Sequence, residues 1–201
     1  MLESLSIRGY AHHGVCDNPF GAGNQQERPE VVDNHYVAGF VDGEGSFHVA
    51  FQRNPDVRLG WQAVPEFHLS QNRASLVVLR AIRERLDCGI IKANHRARTR
   101  DQTYVLVVRN RHDLLTKVIP FFERYPLHTE KRRDFATFKE IVEMMNRGEH
   151  LKRSGFASIV HLGYSMNARG TRRRVPKKDI LRALESSETI RRRSTTKSVK
   201  I

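Results

Sequence analysis

At Gly45 the spacing of apolar residues changes from helical to alternating, and this switch constrains the fold more than any other feature of the chain. Ahead of it, His35 to Asp42 reads as a helix, with Asp33 or Asn34 placed to accept the free N–H groups of its first turn. Behind it, Phe47, Val49 and Phe51 alternate with Ser46, His48, Ala50 and Gln52, the period-two pattern of a half-buried strand. Asn54-Pro55-Asp56 supplies turn chemistry. A second alternating run then sets Trp61, Ala63, Phe67 and Leu69 inward and Gln62, Val64, Glu66, His68 and Ser70 outward.

The same succession recurs downstream. Leu76, Leu79, Ile82 and Leu86 return at intervals of three and four, as on one helix face, and Gly89 follows the end. A second hairpin is expected over 90–97 and 103–109, turning within 98–102. Helical spacing returns over 113–122, is broken by Pro126, and resumes over 131–146 with Phe135, Phe138, Ile141, Val142 and Met145 on the core stripe. Residues 149–167 read as a short helix and 176–185 as a last one. Hairpin strands mixed with helices predict an α+β domain whose antiparallel sheet has helices on one face and the other face free. A length of 201 residues suits one such domain over 31–168, with an irregular leader over 1–30 and a basic tail over 169–201. The first helix pattern has no internal repeat.

Charge narrows the partners. Lys and Arg number 35 against 22 Asp and Glu, a formal charge of +13 that asks for a polyanion, nucleic acid first. Residues 168–201 hold twelve of the basic residues and three acids. That tail reads either as a solvated end or as a source of phosphate contacts through Arg172, Arg173, Arg174, Lys177 and Lys178. Cys16 and Cys88 are too few for a disulfide framework and lack zinc-site spacing, which fits a reduced intracellular compartment. No stretch approaches the roughly 18 apolar residues of a membrane span, and Met1 to Gly14 lacks a secretory pattern, so a soluble protein that is not secreted is expected.

The stretch Tyr36-Val37-Ala38-Gly39-Phe40-Val41-Asp42-Gly43-Glu44-Gly45-Ser46-Phe47 is the most informative. Ala38, Gly39 and Gly43 put small side chains along the helix; they either allow tight packing inside the protomer or let a second helix approach backbone to backbone. Gly43 and Gly45 flank Glu44, ending the helix with a carboxylate at its tip. This stretch resembles the signature helix of the LAGLIDADG homing endonucleases, followed by a strand opening in Ser-Phe. The resemblance continues in Phe67-His68-Leu69-Ser70-Gln71, in Pro120-Phe121-Phe122 with Pro126-Leu127, and in Lys131-Arg132-Arg133-Asp134-Phe135. Phe138-Lys139, Gly148-Glu149-His150-Leu151 and Met166-Asn167 extend it, so that it covers roughly residues 34–167. It implies the family fold, αββαββα with a saddle-shaped antiparallel sheet over the DNA major groove and two signature helices paired at the centre. With one signature per chain, it implies a homodimer with Ala38, Gly39 and Gly43 at the interface.

By the same resemblance, Glu44 binds a divalent ion, Mg²⁺ or Mn²⁺, for phosphodiester hydrolysis of double-stranded DNA on a long palindromic or pseudopalindromic site. Asp42 takes a structural part. Gln71 stands where the family often places a residue that orients the attacking water, or else caps the next helix. Lys131, or Arg132 if the spacing shifts, stands near the scissile phosphate. Ser75 replaces a basic residue that some members carry. Ser46, His48, Gln52, Gln62, Glu66, His68 and Ser70, with Lys92, Asn94, Arg96 and Arg98 of the third strand, share outward parities suited to reading base edges. An intron-encoded protein of a bacterial or archaeal cytoplasm or an organelle matrix is implied. The competing function is a non-cutting binder on the same fold, such as a maturase acting on its intron RNA; Glu44 argues against a purely regulatory role.

Overall fold

The computed structural model describes residues 32–94, 102–169, 173 and 175–185. The expected leader, most of the turn within 98–102, and Arg96, Arg98, Arg172 and Arg174 lie outside the described residues. Helix α1 (Asn34–Glu44) starts at Asp33, whose carboxylate accepts from the Tyr36 N–H at 2.8 Å. Strand β1 (Gly45–Arg53) follows without a linker. A Cβ on Gly45 would lie 2.5 Å from Val41 Cγ1 and 2.7 Å from the Val41 carbonyl oxygen, so only glycine lets the strand leave the helix this sharply.

Strand β1 pairs antiparallel with β2 (Trp61–Asn72), setting Phe47 opposite Phe67 and His48 opposite Glu66. A 3₁₀ turn, Arg73–Ser75, leads into α2 (Leu76–Leu86). Strands β3 (Ile90–Ala93) and β4 (Thr103–Val108) complete a four-stranded sheet in the order β1-β2-β4-β3. Pro65 stands in β2 beyond Phe67, the last residue that β4 pairs, where a missing N–H breaks no bond to β4.

Expected to begin at Asp113, the next helical segment starts two residues earlier. Asn110 accepts from the His112 N–H at 2.9 Å and opens α3 (Arg111–Asp113). A π-helical turn, Leu114–Val118, connects it to α4 (Ile119–Arg124). That wider turn comes directly before Pro120, whose ring would crowd the carbonyl four residues back in a regular α-helix. Helices α5 (Lys131–Asn146) and α6 (Arg153–Arg169) follow, then α7 over 177–185. Expected over 149–167, α6 instead starts at Arg153 after a 3₁₀ turn, Glu149–Leu151, and runs for 17 residues despite its two glycines, because packing outweighs their low helix propensity. At Gly163 a Cβ would lie 2.8 Å from the Phe51 ring, so the missing side chain lets α6 lie against β1.

Phe47 is the centre of the core. Its ring lies 5.1 Å from Phe67, 5.5 Å from Phe122, 5.3 Å from Phe135 and 5.4 Å from Phe138, which ties β1 and β2 to α4 and α5. The core also extends past residue 168, the expected end of the packed domain. Ile180 and Leu184 of α7 are buried in the same cluster, because a four-residue spacing puts both on one helix face among outward basic residues. Among the described residues no helix is long and apolar enough to cross a membrane.

Candidate functional site

The carboxyl end of α1 is fastened by two residues. Lys131, at the start of α5, donates through Nζ to the carbonyl oxygens of Val41, Asp42 and Gly43 at 3.1, 2.8 and 2.8 Å. The Asp42 and Gly43 oxygens are last-turn carbonyls that an α-helix leaves without partners, the Val41 oxygen also accepts from the Gly45 N–H, and the ammonium sits at the negative end of the helix dipole. Burial pushes the Lys131 ammonium below its ordinary pKa, against the pull of Asp42, Glu44 and Asp134. Asp42 grips the loop ahead of α5, accepting from the His128 N–H at 2.8 Å, the Thr129 N–H at 3.1 Å and the Thr129 hydroxyl at 2.6 Å. Burial pushes this carboxyl up, but the bonds from Thr129 and His128 outweigh it and hold it below the usual carboxylate range. Glu44 itself is exposed at the tip.

Along α1, Tyr36, Gly39 and Gly43 are exposed in a line. Nothing beyond the helix's own backbone lies within 4 Å of a Cβ built on Gly39 or Gly43, so neither glycine serves packing inside the protomer. Ala38, expected on the same face, instead points into the core and is buried. Each residue turns the helix by about 100°, which carries position 38 off the line through 36, 39 and 43.

On the sheet face away from the helices, strand parity leaves Ser46, His48, His68 and Ser70 half-exposed, with Gln52, Gln62, Lys92 and Asn94 exposed beside them. Glu66 shares their parity, yet it is only 3% exposed. The Nε2 atoms of His48 and His68 each lie 3.0 Å from its Oε2, and Arg109 Nε pairs with its Oε1. Burial pushes the Glu66 carboxyl up; the hydrogen bonds and charge of His48 and His68 outweigh it and hold the group far below the ordinary range. With both oxygens engaged by neighbours, Glu66 is not the free reading group that parity alone suggests.

The pattern that defines the LAGLIDADG endonucleases matches residues 37–142, more than half of the chain. The chain belongs to the LAGLIDADG endonuclease family. It is 38% identical over 130 residues to the probable intron-encoded endonuclease 3 of Neurospora crassa, covering 65% of this chain and 24% of that protein. It is also 38% identical to the crystal structure of the homing endonuclease I-TnaI, with a TM-score of 0.66 over 78% of this chain and 98% of that one. The archaeal intron-encoded homing endonuclease I-Vdi141I, solved in complex with DNA, is 30% identical with a TM-score of 0.70, covering 78% of this chain and 96% of that one. The chain thus spans 24% of the fungal relative's length and nearly all of the two solved chains.

Within this LAGLIDADG fold, Lys131 reaches the tip of the signature helix, where Glu44 also stands. Lys131, however, has three acceptors for its three ammonium hydrogens and works as a fastener of the tip. Gln71 is half-buried at the end of β2, opposite Tyr104. The cap of the following turn is Asn72, which accepts from the Ser75 N–H at 3.0 Å. Because Gly45 pairs with Leu69, β2 runs on past the start of β1 and carries Gln71 level with the helix tip.

Arg173, expected on a phosphate, is turned inward. It donates to the carbonyl oxygens of Val49, at 2.6 Å, and of Gly163, and it lies over the rings of Tyr164 and Phe51 at 4.7 and 5.4 Å. A planar guanidinium can fork to two carbonyls and stack on an aromatic pair together, and that combination draws it off the surface. Sequence reasoning missed Arg109 and Thr129. Extending the Phe67–Val108 pairing by one residue brings Arg109 beside Glu66, a neighbourhood legible only once the register is known.

Proposed function

We propose that the chain is a site-specific double-strand DNA endonuclease that acts as a symmetric homodimer on a long palindromic or pseudopalindromic site and needs a divalent cation, Mg²⁺ or Mn²⁺. Gly39 and Gly43 carry this reading: an uncovered small-residue face on the signature helix, ending in an exposed carboxylate, is half of a close helix pair. Pairing that face with its twin brings two Glu44 carboxylates together, and a cation between them relieves the repulsion of like charges. The exposed donors at the tip are carboxylate oxygens, which fit a hard divalent ion. Such an ion, when bound, supplies Lewis-acid activation for hydrolysis.

The chain's own residues hold the geometry. Lys131 and Asp42 fix the tip that carries Glu44, and Gln71 turns its amide toward the attacking water. Ser46, His48, Gln52, Gln62, His68, Ser70, Lys92 and Asn94 contact base edges and sugars, while Lys177 and Lys178 add phosphate contacts that carry no sequence information.

The decisive test is cleavage by Glu44→Gln on a site selected from a randomised duplex library. The variant keeps shape but loses the charge that holds the ion, so it is expected to bind like wild type and to lose strand scission by several orders of magnitude at saturating Mg²⁺. A wild-type protein that cuts no duplex with either ion, yet binds its intron RNA tightly, would put the maturase reading in place of this one. For assembly, sedimentation is expected to show a dimer on DNA, and a Gly39→Leu variant that still dimerises and cuts normally would remove the basis of the homodimer.

A further inference from the structure

We propose that His48, Glu66 and His68 form a second metal site, of the two-histidine, one-carboxylate kind, on the sheet face away from the helices and suited to a borderline ion such as Zn²⁺. The sheet builds it. His48 stands directly opposite Glu66 across β1 and β2, and His68 follows two residues along β2 on the same face. Both imidazole Nε2 atoms lie 3.0 Å from Glu66 Oε2, and the three candidate ligand atoms all lie within 4.8 Å of one another. A tetrahedral zinc ion about 2.0–2.1 Å from each donor needs them about 3.4 Å apart, a spacing reached by small side-chain rotations on a fixed backbone.

The donors also suit the ion chemically. Two imidazoles and a carboxylate are the protein ligands of open zinc sites, where water takes the fourth position. They differ from the oxygen-only tip at Glu44, so the two sites sort borderline and hard divalent ions. Arg109 binds the far oxygen of Glu66 and holds Oε2 toward the rings, the part an outer partner plays around metal ligands. Its charge also opposes the ion and keeps the affinity below that of an unpaired carboxylate. Without metal, both Nε2 atoms face Oε2 at 3.0 Å. Metal binding turns those nitrogens into ligands: a neutral imidazole carries its proton on Nδ1 instead, and a protonated one releases a proton, so the affinity falls as pH falls.

The site shares His48 and His68 with the DNA-facing surface of the endonuclease reading but not its Glu44 chemistry, and the test keeps the two apart. Metal-stripped full-length Glu44→Gln protein is titrated with Co²⁺, a coloured stand-in for Zn²⁺, and then competed with Zn²⁺. One ion per chain with a visible ligand-field band is expected, and the band is expected to vanish in the triple variant that adds His48→Ala and His68→Ala. X-ray absorption at the zinc edge of the unsubstituted protein reads the ligands directly, even if that variant folds poorly. Two imidazole nitrogens with oxygen around the zinc support the site. No stoichiometric binding, a zinc spectrum without two imidazoles, or a cobalt band unchanged in the triple variant overturns it.

Discussion

Lys131 and Glu44 stand at the same helix end with opposite tasks, one tied down and one left free. Replacing Lys131 with Met keeps the apolar stem but leaves three partly buried carbonyls without a charged donor. A loss of about 1–3 kcal/mol is expected in urea unfolding at constant m-value. Arg173→Lys gives up both the fork and the ring stacking, so it should lower the melting temperature while leaving the salt dependence of DNA binding as in wild type. Glu66 provides a pH signature. Its folded pKa lies below the model-compound value of 4.5, so the cluster's contribution to stability is complete above that value and is lost as pH falls through the folded pKa. Unfolding followed from pH about 6 down to about 3 should therefore show a shallower acid decline for Glu66→Gln than for wild type.

At the scale of elements, α1 turns one face to the protomer's own core and leaves another for the twin that the proposed homodimer needs. Gly39 lies in mid-helix with open space around it, so Gly39→Ala should raise the stability of the isolated protomer by up to about 1 kcal/mol through helix propensity. The same methyl would stand in the way of a close helix pair, so sedimentation should show a weaker dimer. A gain in both would count against the pairing face. Gly163 is the contrary case: a Cβ there meets the Phe51 ring, and Gly163→Ala should cost about 1–3 kcal/mol by overpacking, read from denaturant midpoints.

For the whole molecule, the net charge of +13 implies that binding to duplex DNA weakens steeply and log-linearly with salt, measurable as the slope of log affinity against log salt concentration. Not every cation contributes to that slope. Lys131 and Arg173 are consumed by internal carbonyls, and α7 brings Ile180 and Leu184 into the core from a segment that composition alone assigns to the solvent. Ile180→Ala or Leu184→Ala should each cost about 2–5 kcal/mol in unfolding, the ordinary penalty for emptying a buried aliphatic site.

The order of helices and strands, the inward and outward parity of β1 and β2, and a helix tip bearing Glu44 between two glycines all followed from local periodicity. Apolar spacing and glycine placement act within a few residues, so they are complete in the chain itself. The tertiary structure alone decided which small residues of α1 face outward, because Ala38 and Gly39 differ by one turn increment and only packing sets the zero of rotation. It decided that Glu66 is enclosed by His48, His68 and Arg109, since their meeting depends on register across three strands. It also decided that Lys131 and Arg173 spend their charge on carbonyls 88 to 90 and 124 residues away, because a buried acceptor demands a donor wherever the fold supplies one.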